Sequence, residues 1–262
     1  MEDTILELKH VTKRFSGLVA VNDLSIQAKR GTIHSLVGPN GSGKSTTISM
    51  INGMLPLTEG EILLNGRKIS GLSTHEIALA GIGRTFQNIK VFGTMTVLEN
   101  VMVGGHALNR RSGGLIKYLL NIKGTNAEEK MIREKAEEIL EFIGMQDLRD
   151  QQVRNLAYGR QKMTELGRAL MCQPQLLLLD EPAAGLNPSE RAELTDMLVK
   201  VHDSGISLFL VEHNMDIVMT ISDRITVINF GAKIAEGTPA EVKDNDEVIR
   251  AYLGSKYQKA AE

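Results

Sequence analysis

The chain carries, at residues 38–46, the stretch Gly38-Pro39-Asn40-Gly41-Ser42-Gly43-Lys44-Ser45-Thr46. It fits the pattern G-x-x-x-x-G-K-[S/T], a loop whose backbone N–H groups point inward and surround phosphate. Such a loop works between a strand and a helix. Residues 33–37 are an apolar run typical of a buried strand, and residues 45–52 are typical of a helix. The sequence therefore predicts a nucleotide-phosphate site.

Two side chains of this loop have predicted roles of their own. Lys44 is placed to reach the β- and γ-phosphates of a nucleotide, and Ser45 is placed to bind Mg²⁺. The helix that follows directs its positive N-terminal end at the same phosphates. A glycine-rich turn with a chance lysine is the alternative, but it does not account for so many constrained positions between the correct flanks.

Composition narrows the class of protein. A chain of 262 residues can bury a sizeable core, which we interpret as one domain with an inserted helical lobe. The net charge of −2 comes from mixed signs, so no nucleic-acid partner is expected.

Cys172 is the single cysteine, which excludes an intrachain disulfide and favours a reducing compartment. The N-terminus has no apolar secretion region and no apolar run is long enough to span a bilayer, so we expect a cytosolic chain or one bound to a membrane through a partner.

Hydrophobic patterning predicts an α/β fold with a parallel sheet. After residue 156 the apolar runs alternate with helical segments, as in sheets covered by helices on both faces. From about residue 73 to residue 145 the pattern is mainly helical. The predicted strands are 5–11, 25–28, 61–64, 176–179, 206–211 and 224–228, and the predicted helices are 96–103, 126–145, 188–203 and 214–221.

An insertion between residues 104 and 125 mixes basic and apolar side chains, with glycine near both ends. An ordinary solvated loop has this composition, and so does a docking surface for another protein. The basic residues are Arg110, Arg111, Lys117 and Lys123, and the apolar residues are Leu115, Ile116, Leu119 and Leu120.

Polar side chains follow two predicted strands. Asp180 and Glu181 come directly after the strand at 176–179, at the sheet edge where ligands bind in open α/β folds. Asp180 is suited to hold Mg²⁺, directly or through water, and Glu181 to orient or deprotonate an attacking water. Such a pair also suits a helix start, but the phosphate loop in the same chain favours catalysis. Glu212 and His213 directly follow the strand at 206–211, and the His213 imidazole can hydrogen-bond a γ-phosphate there.

In order along the chain, these features resemble the ATP-binding subunits of ABC transporters, over essentially its whole length. The resemblance implies that Phe15 stacks on adenine and that Gln87 forms the glutamine loop, a further Mg²⁺ ligand. It implies that Asp180 and Glu181 are the Walker B pair and that His213 is the switch histidine.

The resemblance also implies a fold. It is a P-loop NTPase parallel-sheet core with an N-terminal antiparallel β subdomain and an inserted α-helical subdomain at about 88–155. A helical tail at about 238–262 completes a single nucleotide-binding domain over 1–262.

Residues 156–161 occupy the place of the family's signature L-S-G-G-Q, which completes the ATP site of a partner subunit. The segment departs from that pattern, because Ala157 lacks the serine hydroxyl, Tyr158 replaces a glycine and Arg160 replaces the glutamine, while Gly159 is kept. Arg160 either contacts the partner's γ-phosphate, pairs with a nearby acid or faces solvent. Asn187 replaces the aspartate of the D-loop and also suits a helix N-cap.

The details are most similar to the branched-chain amino acid uptake group. The stretches that carry this similarity are 156–159, 180–188, 211–215 and 251–254. It implies an ATPase that uses ATP and Mg²⁺ as an importer motor at the cytoplasmic side of the membrane. The implied partners are transmembrane permease subunits, a second ABC ATPase subunit that differs from this chain rather than copying it, and, indirectly, a substrate-binding protein.

Other functions share many of these features. Similar cassettes serve amide or urea uptake and lipid-linked glycan export, and a soluble ABC ATPase outside transport is a further alternative. A small-molecule kinase or GTPase shares the phosphate loop but lacks the signature and switch histidine, and no N-K-x-D motif for guanine is present.

Overall fold

The computed structural model describes residues 4–109 and 125–259, and within them the side chains of 4–105 and 129–252. A four-stranded antiparallel sheet has the order β2-β1-β4-β5. Its strands are β1 (Thr4–Phe15), β2 (Leu18–Lys29), β4 (Glu59–Leu64) and β5 (Arg67–Lys68). The strands predicted at 5–11, 25–28 and 61–64 are confirmed, and all three are longer than predicted.

A six-stranded sheet has the order β10-β9-β3-β8-β7-β6 and is parallel except for β10. Its strands are β3 (Ile33–Val37), β6 (Ile82–Arg84), β7 (Leu176–Asp180), β8 (Ser207–Val211), β9 (Arg224–Asn229) and β10 (Ala232–Gly237). Every residue of β3, β7 and β8 is buried, as expected for strands covered on both faces. Since β8 lies between β3 and β7, the carboxyl ends of these three strands are adjacent.

Nine α-helices occur in the described residues. They are α1 (Lys44–Ile51), α2 (Thr74–Leu79), α3 (Val97–Asn109), α4 (Thr125–Phe142), α5 (Tyr158–Met171), α6 (Pro188–Asp203), α7 (Met215–Ile221), α8 (Pro239–Lys243) and α9 (Asp246–Lys259). The helix predicted at 188–203 is confirmed at both ends, and the one at 126–145 ends three residues early. Strand β6 interrupts the helical region predicted from residue 73, and β10 was not predicted.

Helices α3, α4 and α5 pack on one another through a core that continues to the parallel sheet. Ala136, Ile139 and Ile143 of the α4 segment are buried in the same cluster as Leu177 and Leu208, so the predicted helical spacing is confirmed. A Cβ on Gly104 of α3 would lie 2.2 Å from the Arg168 carbonyl oxygen of α5, so the close helix contact requires glycine.

The insertion is largely outside the described residues. The basic and apolar side chains predicted there, from Arg110 to Lys123, all fall in residues 110–124. Within the part of the chain that the structure describes, no helix is both long enough and apolar enough to cross a membrane.

Candidate active site

The phosphate loop joins β3 to α1, and its glycines are required by close backbone contacts. At Gly38, with φ +156°, a Cβ would lie 2.1 Å from the Ile228 carbonyl oxygen. At Gly43, with φ +104°, a Cβ would lie 2.5 Å from the Ala20 carbonyl oxygen. The loop therefore packs closely against β2 and β9, and at these two positions only glycine fits. Without side chains there, the loop backbone can fold tightly around phosphate.

Lys44 lies at the centre of this loop. Its Nζ donates hydrogen bonds to the carbonyl oxygens of Gly38, at 2.8 Å, and Pro39, at 2.9 Å. Burial lowers the pKa of Lys44, whereas the negative charges of Glu181 and Asp180 raise that pKa. The loop thus holds a buried cation that fits a polyphosphate.

Asp180, the last residue of β7, has one carboxylate oxygen bonded and one free of protein partners. Arg84 Nη2 donates to Oδ2 at 2.9 Å, while the buried Oδ1 has no hydrogen-bond partner among the described residues. Burial raises the pKa of Asp180, and the Arg84 hydrogen bond and charge oppose that shift. An orphaned carboxylate oxygen, with the Ser45 hydroxyl on the loop, is the type of donor set that Mg²⁺ prefers.

Glu181 adopts a left-handed backbone conformation, with φ +46°, which is unfavourable for a residue other than glycine. Its N–H donates to the Val211 carbonyl oxygen at 2.8 Å, which ties it to the end of β8. Gln87 Nε2 donates to Glu181 Oε2 at 2.7 Å, and His213 Nδ1 lies 3.5 Å from the same oxygen. The three predicted catalytic side chains therefore meet at one carboxylate oxygen.

Glu212 holds this arrangement together, and sequence analysis missed its role. The residue is fully buried, and its Oε1 accepts the Ala183 N–H at 2.9 Å. Its Oε2 accepts the N–H groups of His213, at 3.0 Å, and Asn214, at 3.1 Å. The carboxylate thus joins the segments that follow β7 and β8. The available signal was an acidic residue ending an apolar strand.

Glu165 on α5 is a second missed residue. Its Oε1 accepts the Lys90 N–H at 2.8 Å, and its Oε2 accepts the Phe86 N–H at 3.5 Å. Burial raises the pKa of Glu165, and these hydrogen bonds together with Arg168 oppose the shift. Glu165 therefore anchors the segment that carries Gln87 to α5.

One cavity of about 720 Å³ unites most predicted site residues, a volume typical of small-ligand sites. Its predicted lining residues are Phe15, Asn40, Gly41, Ser42, Gly43, Lys44, Ser45, Thr46, Gln87, Glu181 and His213. Gly38, Pro39 and Asp180 do not line it, and Asp180 is buried. Leu18, Val19, Ala20 and Phe230 also line it and were not predicted.

The signature residues do not line this cavity. Ala157 is the N-cap of α5, but its methyl side chain accepts no capping hydrogen bond, and Tyr158 is exposed. Arg160 Nη1 lies 2.6 Å from Glu193 Oε1, so in this structure it pairs with a nearby acid. The exposed Asn187 caps α6, since its Oδ1 accepts the Glu190 N–H at 3.0 Å.

The tail reaches the start of the phosphate loop through Tyr252 of α9. Burial raises the pKa of Tyr252 to about 12, and a hydrogen bond with the Gly38 backbone opposes that shift. The tail is therefore part of the structure that supports the loop.

A strand–loop–helix phosphate cradle, with carboxylates at the adjacent strand ends, defines a nucleotide-binding protein of the P-loop class. The family model described as ABC transporter matches residues 21–184, more than half of the chain. The chain belongs to the ABC transporter family and is an ATP-binding, ATP-hydrolysing subunit, as the sequence predicts. A second model, described as branched-chain amino acid ATP-binding cassette transporter, matches residues 232–257.

Individual relatives agree with this assignment. The chain is 40% identical over 255 residues to the high-affinity branched-chain amino acid transport ATP-binding protein BraF of Pseudomonas aeruginosa, covering 97% of this chain and 99% of that protein. A solved ABC transporter cassette in its ADP conformation has a TM-score of 0.82 at 34% identity, with 97% and 99% coverage. A dimeric cassette in a post-hydrolysis state, bound to ADP and Pi, has a TM-score of 0.73 at 25% identity, with 90% and 99% coverage.

Proposed function

We propose that this chain is the ATP-hydrolysing motor of an importer for branched-chain amino acids. The observation that carries the proposal is the single cavity that unites the phosphate loop with Gln87, Glu181 and His213. The similarity to BraF and the match of the tail to a branched-chain amino acid cassette model support the substrate class.

In this proposal the phosphate loop and Lys44 bind the β- and γ-phosphates of ATP, and Phe15 packs on the adenine. Ser45, Gln87 and Asp180 hold Mg²⁺, directly or through water; when bound, the ion neutralises the charge that develops on the transferring phosphate. The orphaned Asp180 oxygen supports this assignment.

Glu181 is proposed as the general base. The oxygen of an attacking water bonds to the γ-phosphorus while the bond to the ADP oxygen breaks, and the Glu181 carboxylate takes the water's proton. Gln87 fixes the orientation of that carboxylate by donating to Oε2. His213 donates a hydrogen bond to the γ-phosphate, from the position beside Oε2 where Glu212 fixes its backbone.

The signature residues and Asn187 are proposed to complete the ATP site of a second ATPase subunit, which differs from this chain. Their separation from the chain's own cavity supports this, as does the similarity to a cassette solved as a dimer. We propose one nucleotide-binding domain over 1–262, with a tail at 238–262 and a helical subdomain at 88–155 that contacts the permease. The complex then lies at the cytoplasmic side of the membrane and receives substrate from a binding protein.

The test is uptake by cells that lack this chain. Labelled leucine, isoleucine or valine should enter again when the parent chain is restored, but not with Glu181→Gln. The matched control is Glu247→Gln, which makes the same chemical change at an exposed acid outside the cavity. Multi-span membrane subunits should co-purify with the parent. Restored uptake of urea or another amide, with branched-chain uptake unchanged, would reject the proposed substrate.

A further inference from the structure

Phe230 is an exposed aromatic residue on the wall of the nucleotide cavity. It lies in the turn between β9 and β10, and 82% of it is exposed, the largest fraction among the large hydrophobic residues whose side chains are described. Its φ of +46° is in the left-handed region, which bulky residues avoid. Neither core packing nor backbone preference therefore explains a phenylalanine here.

The turn that carries Phe230 is fixed to the phosphate loop. The Gly231 N–H donates to the Ser42 carbonyl oxygen at 3.0 Å, and the Asn22 N–H donates to the Gly231 carbonyl oxygen at 2.9 Å. A Cβ on Gly231 would lie 2.9 Å from the Ala20 carbonyl oxygen, so the turn and β2 are in close contact. The position of Phe230 is therefore set relative to the loop.

Phe230 lines the same cavity as two other exposed apolar residues. Phe15 is 42% exposed and Leu18 is 65% exposed, and both line the same cavity. Lys13 Nζ lies 5.0 Å from the centre of the Phe15 ring. The lining thus combines apolar side chains with the charged groups Lys44 and Glu181. A nucleotide has the same combination of groups, with a flat apolar base and a charged phosphate chain.

We propose that Phe230 is a second base-contacting residue of this site, packing on the purine of ATP or ADP from the β9–β10 turn while Phe15 contacts it from β1. The inference rests on the proposed nucleotide site. An exposed aromatic ring beside a bound purine stabilises it by stacking and by removal of apolar surface from water.

The experiment is equilibrium calorimetry on the full chain, with ADP and with inorganic tripolyphosphate, which has no base. The test variant is Phe230→Asn, because asparagine accepts the left-handed conformation and keeps the turn. We expect its Kd for ADP to rise about fivefold or more, while its Kd for tripolyphosphate stays within about twofold of the parent value. The matched control Phe230→Tyr, which keeps the ring, should bind both ligands like the parent. Thermal unfolding of both variants reports whether the turn is intact.

Several outcomes would overturn the inference. Unchanged ADP affinity in Phe230→Asn would do so, and so would equal weakening of ADP and tripolyphosphate binding, which would indicate a change in loop shape. Unchanged ADP affinity combined with weaker ATP-driven pairing would assign Phe230 to a subunit interface instead. If the parent chain bound neither ligand, the proposed nucleotide site would fail together with this inference. If the parent chain bound ADP and the Phe230→Asn variant bound it equally well, this inference alone would be rejected and the proposed nucleotide site would stand.

Discussion

The nucleotide cavity and the signature segment 157–160 are built in opposite ways. In the cavity, polar groups are fixed by neighbours within the chain: Glu181 by Gln87 and Val211, and the backbone of His213 by Glu212. In the signature segment, Tyr158 is exposed and the Arg160 guanidinium pairs with a surface acid.

This difference indicates what each region needs in order to act. The register of β7 and β8 sets Glu181 and His213 at adjacent strand ends, so one copy of the chain brings together the residues that line this cavity. The signature segment is held as the start of α5 but lies outside that cavity. We infer that its function depends on a second subunit.

The largest expected effect separates chemistry from binding within the cavity. Glu181→Gln should lower ATP hydrolysis about 10²- to 10⁴-fold, because glutamine keeps the shape but cannot accept the proton. Its affinity for ADP should stay within about twofold, since Lys44 and the loop are unchanged. Steady-state hydrolysis in the assembled complex, with calorimetry for ADP, measures both.

Glu247→Gln is the control, and it should hydrolyse ATP at the parental rate. Parental hydrolysis by Glu181→Gln would remove the general-base assignment. A parallel loss of ADP binding would mean that the carboxylate shapes the loop, so the comparison between a preformed cavity and a dependent signature segment would no longer hold.

A smaller effect concerns the strand that carries the loop. His34 of β3 is buried, and its Nε2 lies 2.8 Å from Thr226 Oγ1. Burial lowers its pKa from 6.5 to about 4, with smaller contributions from Glu236, which raises the pKa, and Arg224 and Lys233, which lower it. The unfolded chain therefore binds this proton first as the pH falls. The contribution of His34 to the free energy of unfolding should be fully present above pH 6.5. By pH 4, the free energy of unfolding should have fallen by about 3 kcal/mol because of this group.

Denaturant titrations of the parent and His34→Gln between pH 7.5 and 4 measure this contribution. The variant does not titrate at this position, so its free energy of unfolding should fall less steeply between pH 6.5 and 4. If the free energy of unfolding changed with pH in parallel for the two proteins, the His34 pKa would be the same in the folded and unfolded states, and this prediction would be wrong.

The smallest expected effect concerns the signature segment itself. Arg160 and Glu193 have side chains that are 38% and 47% exposed, so their ion pair should contribute little to stability. Arg160→Gln should shift the ATP concentration at half-maximal pairing, in the Glu181→Gln background, by less than about twofold. Sedimentation across an ATP titration reports the midpoint. If the ATP concentration at half-maximal pairing rose by more than this while ADP affinity stayed unchanged, Arg160 would be shown to leave Glu193 and contact the partner's phosphate.

Local sequence predicted much of the fold. Helix α6 was located at both ends because Asn187, Pro188 and Glu190 form a complete start signal. Strand β6 was missed because it has only three residues and one of them is Gly83. Strand β10 was missed because most of its residues are only partly buried, which weakens the apolar pattern.

The candidate site was predictable where a contiguous motif encodes it, as in residues 38–46 and 180–181. Glu165 and Glu212 were not, because their hydrogen-bond partners Lys90 and Ala183 are 75 and 29 residues away. Phe230 was not predictable either, because Asn229-Phe230-Gly231 has the composition of an ordinary turn. The hydrogen bond from the Gly231 N–H to Ser42, which fixes this turn to the phosphate loop, depends on the sheet order. The local sequence around these three residues does not show which distant segments the fold brings against them.

The most direct test is the mass of the Glu181→Gln chain in ATP, measured by sedimentation equilibrium, alone and mixed with the proposed second ATPase subunit. We predict that ATP converts the single chain of 28.7 kDa into a pair in at least one of these samples, and that adding Lys44→Ala abolishes the pair. A chain that binds ATP at saturation but remains at 28.7 kDa in both samples would contradict it, because the signature segment would then have no partner site to complete.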